Sequence, residues 1–252
     1  MSTNSNYIVI PARLKSTRLP RKMLLRETGK SLLQHTYEAA SKAIKPSGIC
    51  IATDHEDISA EVKRFGGHFQ MTSDVAASGT DRVAEVAAKM PHIDVFVNVQ
   101  GDEPEIEPSS IDQVITLLED DVDASVATLA TPIRSKAVLD DPNCVKVVLD
   151  ELGRALYFSR SPIPYAREWS DELLSSDPPT FLLHLGIYAY RRNFLLEFTQ
   201  RPTAAIENIE RLEQLRVLAA GKRIAVGIVE KSPPGIDTQA DYRAFVSRAC
   251  GR

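Results

Sequence analysis

The sequence predicts an α/β fold with a mostly parallel sheet covered on both faces, and three observations carry that expectation. Residues 7–10, 48–53 and 95–100 are short runs rich in apolar and β-branched side chains. Between them lie stretches whose apolar residues recur at helical spacing. The runs themselves are continuous rather than alternating, as strands buried on both faces are. The chain of 252 residues is 43% hydrophobic and 25% charged, which suits one large domain with a sizeable core. A formal charge of −4 argues against a nucleic-acid binder. Cys50, Cys144 and Cys250 lie far apart with no paired spacing, so neither a disulfide framework nor a zinc site is expected.

The elements follow in order. Ser31 is placed to cap a helix through Leu32, Leu33, Tyr37 and Ala40. A second helix covers residues 57–65 and is stopped by Gly66 and Gly67, and a third runs from about 81 to 90, ending before Pro91. A fourth passes through Ile111, Val114, Ile115 and Leu118, and residues 124–131 read as a strand. Residues 143–159 read as an antiparallel hairpin turning near 150–153. Residues 160–179 hold Pro162, Pro164, Pro178 and Pro179 and read as a loop or insertion. A strand over 184–190 follows, then one amphipathic helix over 206–220 with Ile209, Leu212, Leu215 and Leu218 on one face. Residues 224–229 form a strand, and Thr238 caps a last helix toward Cys250. The economical organisation is a single domain over residues 1–252 in which about 155–200 include an inserted arm. Residues 1–6 lack a signal-peptide pattern, and no run approaches the roughly 18–20 uncharged apolar residues of a membrane span. The chain is therefore expected in the cytoplasm, without membrane insertion.

Four groups of residues carry candidate chemistry. The first is the loop after the first strand, where residues 11–30 hold seven basic residues against one acid, a net +6, while the rest of the chain carries −10. A cationic loop at the carboxyl end of a first parallel strand lies where open α/β sheets bind ligands, and several cations together suit a polyphosphate. No glycine occurs between Pro11 and Thr28, so neither a dinucleotide-binding nor a P-loop glycine cradle is present. The second group, Ser78-Gly-Thr-Asp-Arg82, offers N–H groups and hydroxyls at a helix start to a base or an anion, or is an ordinary N-cap. The third, Asn98-Val-Gln-Gly-Asp-Glu-Pro104, sets Asp102 just past a strand end, where it suits Mg²⁺; Asp237, ahead of the last helix, is a candidate second carboxylate or a turn residue. The fourth joins His184, Gly186 and Tyr188, which alternate along one strand face, to a helix carrying Glu210, Glu213, Gln214 and Arg216. It reads either as a polar face for a polyhydroxy acid or as a half-exposed strand beside a solvated helix.

With these residues in view, the chain resembles the 3-deoxy-D-manno-octulosonate cytidylyltransferase (CMP-Kdo synthetase) family. Residues 11–22, Ala52-Thr-Asp54, 78–82, 97–104, Tyr157-Phe-Ser-Arg160, 184–191, Glu213-Gln-Leu-Arg216 and 235–238 occur in the family's order. The resemblance implies a Rossmann-like, mixed but mostly parallel sheet of the nucleotide-diphospho-sugar transferase type, with a β-rich dimerisation arm. It also implies a homodimer and transfer of CMP from CTP to 3-deoxy-D-manno-octulosonate (Kdo), with release of pyrophosphate, for lipopolysaccharide assembly. Carried over by position, Arg13, Lys22 and Asp102 are the catalytic set, with Arg13 and Lys22 on the triphosphate. Ala12, Asp54, Ser78 and Gly79 join them around the nucleotide, and Asp102 and Asp237 match the Mg²⁺ carboxylates. Arg82, Gln100, Arg160, His184, Tyr188, Glu213 and Gln214 match the sugar-acid pocket.

Two positions depart from the family pattern. Arg21 stands where Gly is usual; if that residue takes positive φ, the substitution costs about 1 kcal/mol, offset in part if the extra cation attracts phosphate. Asn208 follows Glu207 where His is commoner. The alternatives are a cytidylyltransferase for another sugar acid such as a sialic acid, a catalytically silent nucleotide-binding protein, and a glycosyltransferase. The last would normally carry an Asp-x-Asp motif, from which Asp102-Glu-Pro104 departs.

Overall fold

A computed structural model describes residues 5–16, 18–231 and 233–251. The chain divides into two compact units, one of Met1–Asp112, Tyr190–Thr199 and Pro233–Arg252, the other of Gln113–Ala189 and Gln200–Ser232.

In the first unit four parallel strands lie in the order β3-β2-β1-β4: β1 (Asn6–Pro11), β2 (Gly48–Thr53), β3 (Phe69–Met71) and β4 (Val95–Asn98). The apolar runs that predict β1, β2 and β4 are buried along nearly their whole length, as doubly covered strands must be. β3 is absent from the sequence reading, since three residues are too few to establish a period. Helices Leu32–Ala40, Glu56–Arg64 and Gly79–Lys89 start within about two residues of the expected positions, and Ser31 and Ser78 each accept a backbone N–H three residues on. Gly66 ends the second of them at φ 75°.

In the second unit the order is β8-β5-β9, for β8 (Leu182–Arg191), β5 (Ala124–Pro132) and β9 (Arg223–Ile228), with β5 and β9 parallel. The hairpin expected over 143–159 is present as β6 (Lys146–Leu149) against β7 (Ala155–Ser159), antiparallel, with β6 also pairing β8. Residues 160–179 are largely irregular, as their prolines predict, apart from the short 3₁₀ turn Asp171–Leu174.

The single helix expected over 206–220 is two helices, Ala205–Glu210 and Gln214–Ala219. Arg211 breaks it by taking the left-handed conformation at φ 55°. The break also splits the supposed apolar face, since Ile209 is 81% exposed whereas Leu215 is fully buried. The two segments are tied by Arg216, which donates to both oxygens of Glu207 at 2.8 and 2.6 Å.

Three packing features of the first unit hold the cationic loop in place. Leu19, inside that loop, is buried with Leu32 of the first helix and with Ile236, Tyr242 and Phe245 of the C-terminal segment. The Tyr242 hydroxyl donates to Glu27 and accepts from its backbone N–H. Arg21 takes φ 56°, ψ 28° and opens the 3₁₀ turn Lys22–Leu24, which aims Lys22 inward. The positive φ anticipated for a position where glycine is usual is thus present. The added guanidinium, however, reaches the Asp57 carboxylate at 2.7 Å. That exposed pair contributes little, so backbone strain dominates at this residue. Arg21→Gly should therefore be more stable than Arg21→Ala by about 1 kcal/mol, since only glycine relieves the strain while both lose the pair. Urea unfolding of the two variants checks this, and equal stabilities would contradict it.

Candidate active site

The first unit holds a cavity of about 340 Å³, bounded by the cationic loop and by the carboxyl ends of β1 and β4. Among the described residues, Arg13, Lys15, Arg18 and Lys22 line it against Asp102 and Asp237, so its charge favours an anion. Gln100, Gly101, Pro11 and Gly79 complete much of the wall. Gly79 is the first residue of the helix Gly79–Lys89, so the positive end of that helix's dipole lies at this wall.

Lys22 is the centre of the arrangement. Its ammonium donates to Asp102 Oδ2 at 2.5 Å, to Asp237 Oδ1 at 3.0 Å and to the Ile236 carbonyl at 3.0 Å. Its side chain is only 10% exposed. Burial alone would lower the Lys22 pKa, but Asp102 and Asp237 outweigh it and hold the value above that of an ordinary lysine. Arg18 adds a second, more exposed contact to Asp237 at 3.1 Å. Beside Asp102, burial and then the Asp102 charge push the Glu103 carboxyl up to about 8.

Each carboxylate is positioned by backbone as well as by charge. The Asp102 carbonyl accepts from the Ile236 N–H at 2.9 Å, which ties the loop after β4 to the segment carrying Asp237. Thr238 and Asp241 form a capping box, so the cap of the last helix is Thr238, and the Asp237 carboxylate is turned to Lys22 and Arg18. Gly101 is closely packed. A Cβ there would lie 3.1 Å from Met23 Cε and 3.3 Å from the Pro11 carbonyl, and those neighbours would have to give by a few tenths of an ångström.

The other candidates of the first unit lie as follows. Arg13 is exposed and donates to the Ala76 carbonyl at 3.2 Å. Ala12 is buried, its N–H bonded to Ala52. Ser78 forms a reciprocal cap with Asp81, so both its hydroxyl and its N–H take part in starting the helix. Arg82 is 1% exposed, and its guanidinium donates to Asp54 at 2.8 Å, to the Thr72 hydroxyl and to the Ser73 carbonyl. Asp54 and Arg82 are thus partners of one another. Arg18, Lys15 and Ser16 line the cavity without having been singled out from the sequence, although the charge of the loop was the signal for them.

The remaining sugar-acid candidates lie in the second unit. His184 shares a hydrogen bond with the Thr128 hydroxyl at 3.1 Å and packs edge-on to Phe158 and obliquely against Tyr188. Burial pushes its pKa down to about 3, so at neutral pH it is an uncharged imidazole that can hydrogen-bond an acid but not neutralise one. Arg160 directs its guanidinium to the carbonyls of Glu210, Pro142 and Arg211, while the Glu210 carboxylate accepts from Ser159 and from the Arg160 N–H. Glu213 precedes the helix Gln214–Ala219 and is half-buried, whereas Gln214 is buried. Asn208 is exposed.

The His184 environment has a testable consequence. Between its ordinary value near 6.5 and about 3, the unfolded chain binds a proton that the folded chain refuses. Stability attributable to His184 is therefore full above 6.5 and falls as pH drops toward 3. From about pH 7 to about pH 4.5 the wild type should lose of order 2 kcal/mol more than His184→Gln. Urea unfolding at both pH values reads this, and equal losses would show that the ring titrates normally in the folded protein.

Comparison with known proteins gives consistent results. The cytidylyltransferase family model matches residues 7–224. The chain is 51% identical to a 3-deoxy-manno-octulosonate cytidylyltransferase of Rhodopirellula baltica, over 96% of this chain and 97% of that one. It is 44% identical to an 8-amino-3,8-dideoxy-manno-octulosonate cytidylyltransferase of Shewanella woodyi, over 96% and 97%. A solved CMP:2-keto-3-deoxy-manno-octonic acid synthetase complexed with CTP superposes with a TM-score of 0.91 at 40% identity, covering 98% of this chain and 99% of that one.

Proposed function

We propose that the chain, which belongs to the cytidylyltransferase family, transfers CMP from CTP to Kdo, giving CMP-Kdo and pyrophosphate. Membership makes it a nucleotidyltransferase, which removes the silent binding protein and the glycosyltransferase from consideration. The observation that carries the reading is the cavity whose four cations converge with Asp102 and Asp237. Such a cavity suits a triphosphate, and two hard carboxylates meeting on one cation suit a divalent metal.

Asp102 and Asp237 fit Mg²⁺ because both already reach the same ammonium, so a cation between them is shared without rearranging the chain. They would hold it together with phosphate oxygens, and when bound it supplies charge neutralisation on the phosphates. The protein's own contribution is electrostatic and positional. Arg13 and Lys22 hold the triphosphate and stabilise the charge that grows on the departing pyrophosphate. Ala12, Ser78, Gly79 and Asp54 flank the nucleotide, with Asp54 kept in position by Arg82. Gln100 and Arg82 in the first unit, and Arg160, His184, Tyr188, Glu213 and Gln214 in the second, are sugar-acid candidates by the family resemblance. The anomeric hydroxyl of Kdo attacks the α-phosphorus and releases its proton to solvent as the bond to the β-phosphate oxygen breaks in line. No covalent enzyme intermediate is required. Cys50 is no candidate nucleophile, since burial pushes its thiol up to about 12.

The finer assignments belong to the same reading: Mg²⁺ as cofactor, a homodimer formed with the arm at about 155–200, a cytoplasmic location, and supply of product to lipopolysaccharide assembly. A second reading, transfer to the 8-amino-3,8-dideoxy analogue, has the Shewanella woodyi relative behind it. Pyrophosphate release from CTP with Mg²⁺ separates the two when run with Kdo, its 8-amino analogue and a sialic acid as acceptors. Release with Kdo alone is the expected result, and release with only another acid would move the specificity. In the same assay Asp102→Asn and Asp237→Asn should each lower turnover by about 10²-fold or more with a cooperative unfolding transition retained. Near-normal turnover in either would remove that carboxylate from the site.

A further inference from the structure

Lys22 already fills the position that the two carboxylates define. An ammonium has three N–H donors, and here each has an oxygen: Asp102 Oδ2, Asp237 Oδ1 and the Ile236 carbonyl. Carboxylate and carbonyl oxygens are the donors a hard divalent cation takes, and such a cation bound between Asp102 and Asp237 would lie in contact with Nζ. Two positive centres held by the same two carboxylates repel one another strongly. The cavity next to it, however, offers the ammonium another destination. A triphosphate drawn in by Arg13, Lys15 and Arg18 presents anionic oxygens within the same wall that Lys22 lines.

We infer that Lys22 is a resident counter-cation that keeps the divalent-metal position closed until a nucleotide triphosphate draws its ammonium away. The inference rests on the reading of Asp102 and Asp237 as metal carboxylates. It makes the metal enter with the nucleotide or after it, never before. It also explains how two carboxylates stay close together in the nucleotide-free protein: one lysine neutralises half their charge and is exchanged for a cation of higher charge when phosphate arrives.

The test is titration of the nucleotide-free protein with Mn²⁺, followed by the electron paramagnetic resonance signal of the free ion. Lys22→Met should bind Mn²⁺ at least tenfold more tightly than wild type, and adding Asp102→Asn should abolish the gain. Lys22→Arg keeps the charge and should show no gain. Lys22→Gln is a second neutral variant, and Mn²⁺ should raise the unfolding temperature of either neutral variant more than that of wild type. Neutral variants that bind Mn²⁺ no better than wild type overturn the inference. A parallel titration in the presence of CTP separates the two levels. If Asp102→Asn weakens Mn²⁺ binding there while the neutral Lys22 variants gain nothing, the metal site stands and the counter-cation role fails. If Asp102→Asn has no effect even with CTP, the metal-carboxylate reading fails and takes the inference with it.

Discussion

One ammonium joins three parts of the chain that are remote in sequence. Lys22 comes from the loop after β1, Asp102 from the loop after β4, and Asp237 from the segment before the last helix. A buried ion pair is in itself weak evidence of stability, because desolvation offsets much of the attraction. Its importance here is geometric. Removal of Lys22 would leave Asp102 without its ammonium partner and Asp237 with the more exposed Arg18 contact. The raised Lys22 pKa expresses the same balance, with attraction to the two carboxylates exceeding the penalty of burial.

Around that contact the architecture is a means of delivering side chains. Parallel strands bring the ends of β1 and β4 to the same edge, which is why Pro11 and Gly101 fall near one another in space. The C-terminal segment then crosses to the same place, held by Ile236, Tyr242 and Phe245 against Leu19 and Leu32. A loop with so many like charges would repel itself. Here the chain supplies partners for part of that charge: Asp57 for Arg21, Asp237 for Arg18, and Glu38 for Lys30. Arg13 and Lys15 reach no carboxylate among the described contacts and face the cavity.

How far the sequence could be read depended on whether a feature was local. β1, β2 and β4 were legible because burial on both faces leaves an uninterrupted apolar run, and the helix starts at Ser31, Ser78 and Thr238 because a cap is a single residue type at one position. The cationic loop and the Asp102 motif were equally local. The break at Arg211 was not legible, since the spacing of Ile209, Leu212, Leu215 and Leu218 suits an unbroken helix. Only the exposure of Ile209 and the tie between Arg216 and Glu207 reveal that the segment turns back. The convergence of Lys22 on two carboxylates was hidden for the same reason, because contacts across 80 and 215 positions leave no periodicity. The partnership of Arg82 with Asp54, which directs that guanidinium into the interior, is likewise a tertiary fact.

Lys22, Asp102 and Asp237 are proposed here as one exchangeable cation site beside a triphosphate cavity. Crystals grown with CTP and Mn²⁺ and measured at the manganese absorption edge test it most directly. The expected result is an anomalous peak bound by both Asp102 and Asp237, with the Lys22 ammonium moved onto a phosphate oxygen. A peak away from these carboxylates, with Lys22 still bonded to both of them and CTP bound, would contradict it.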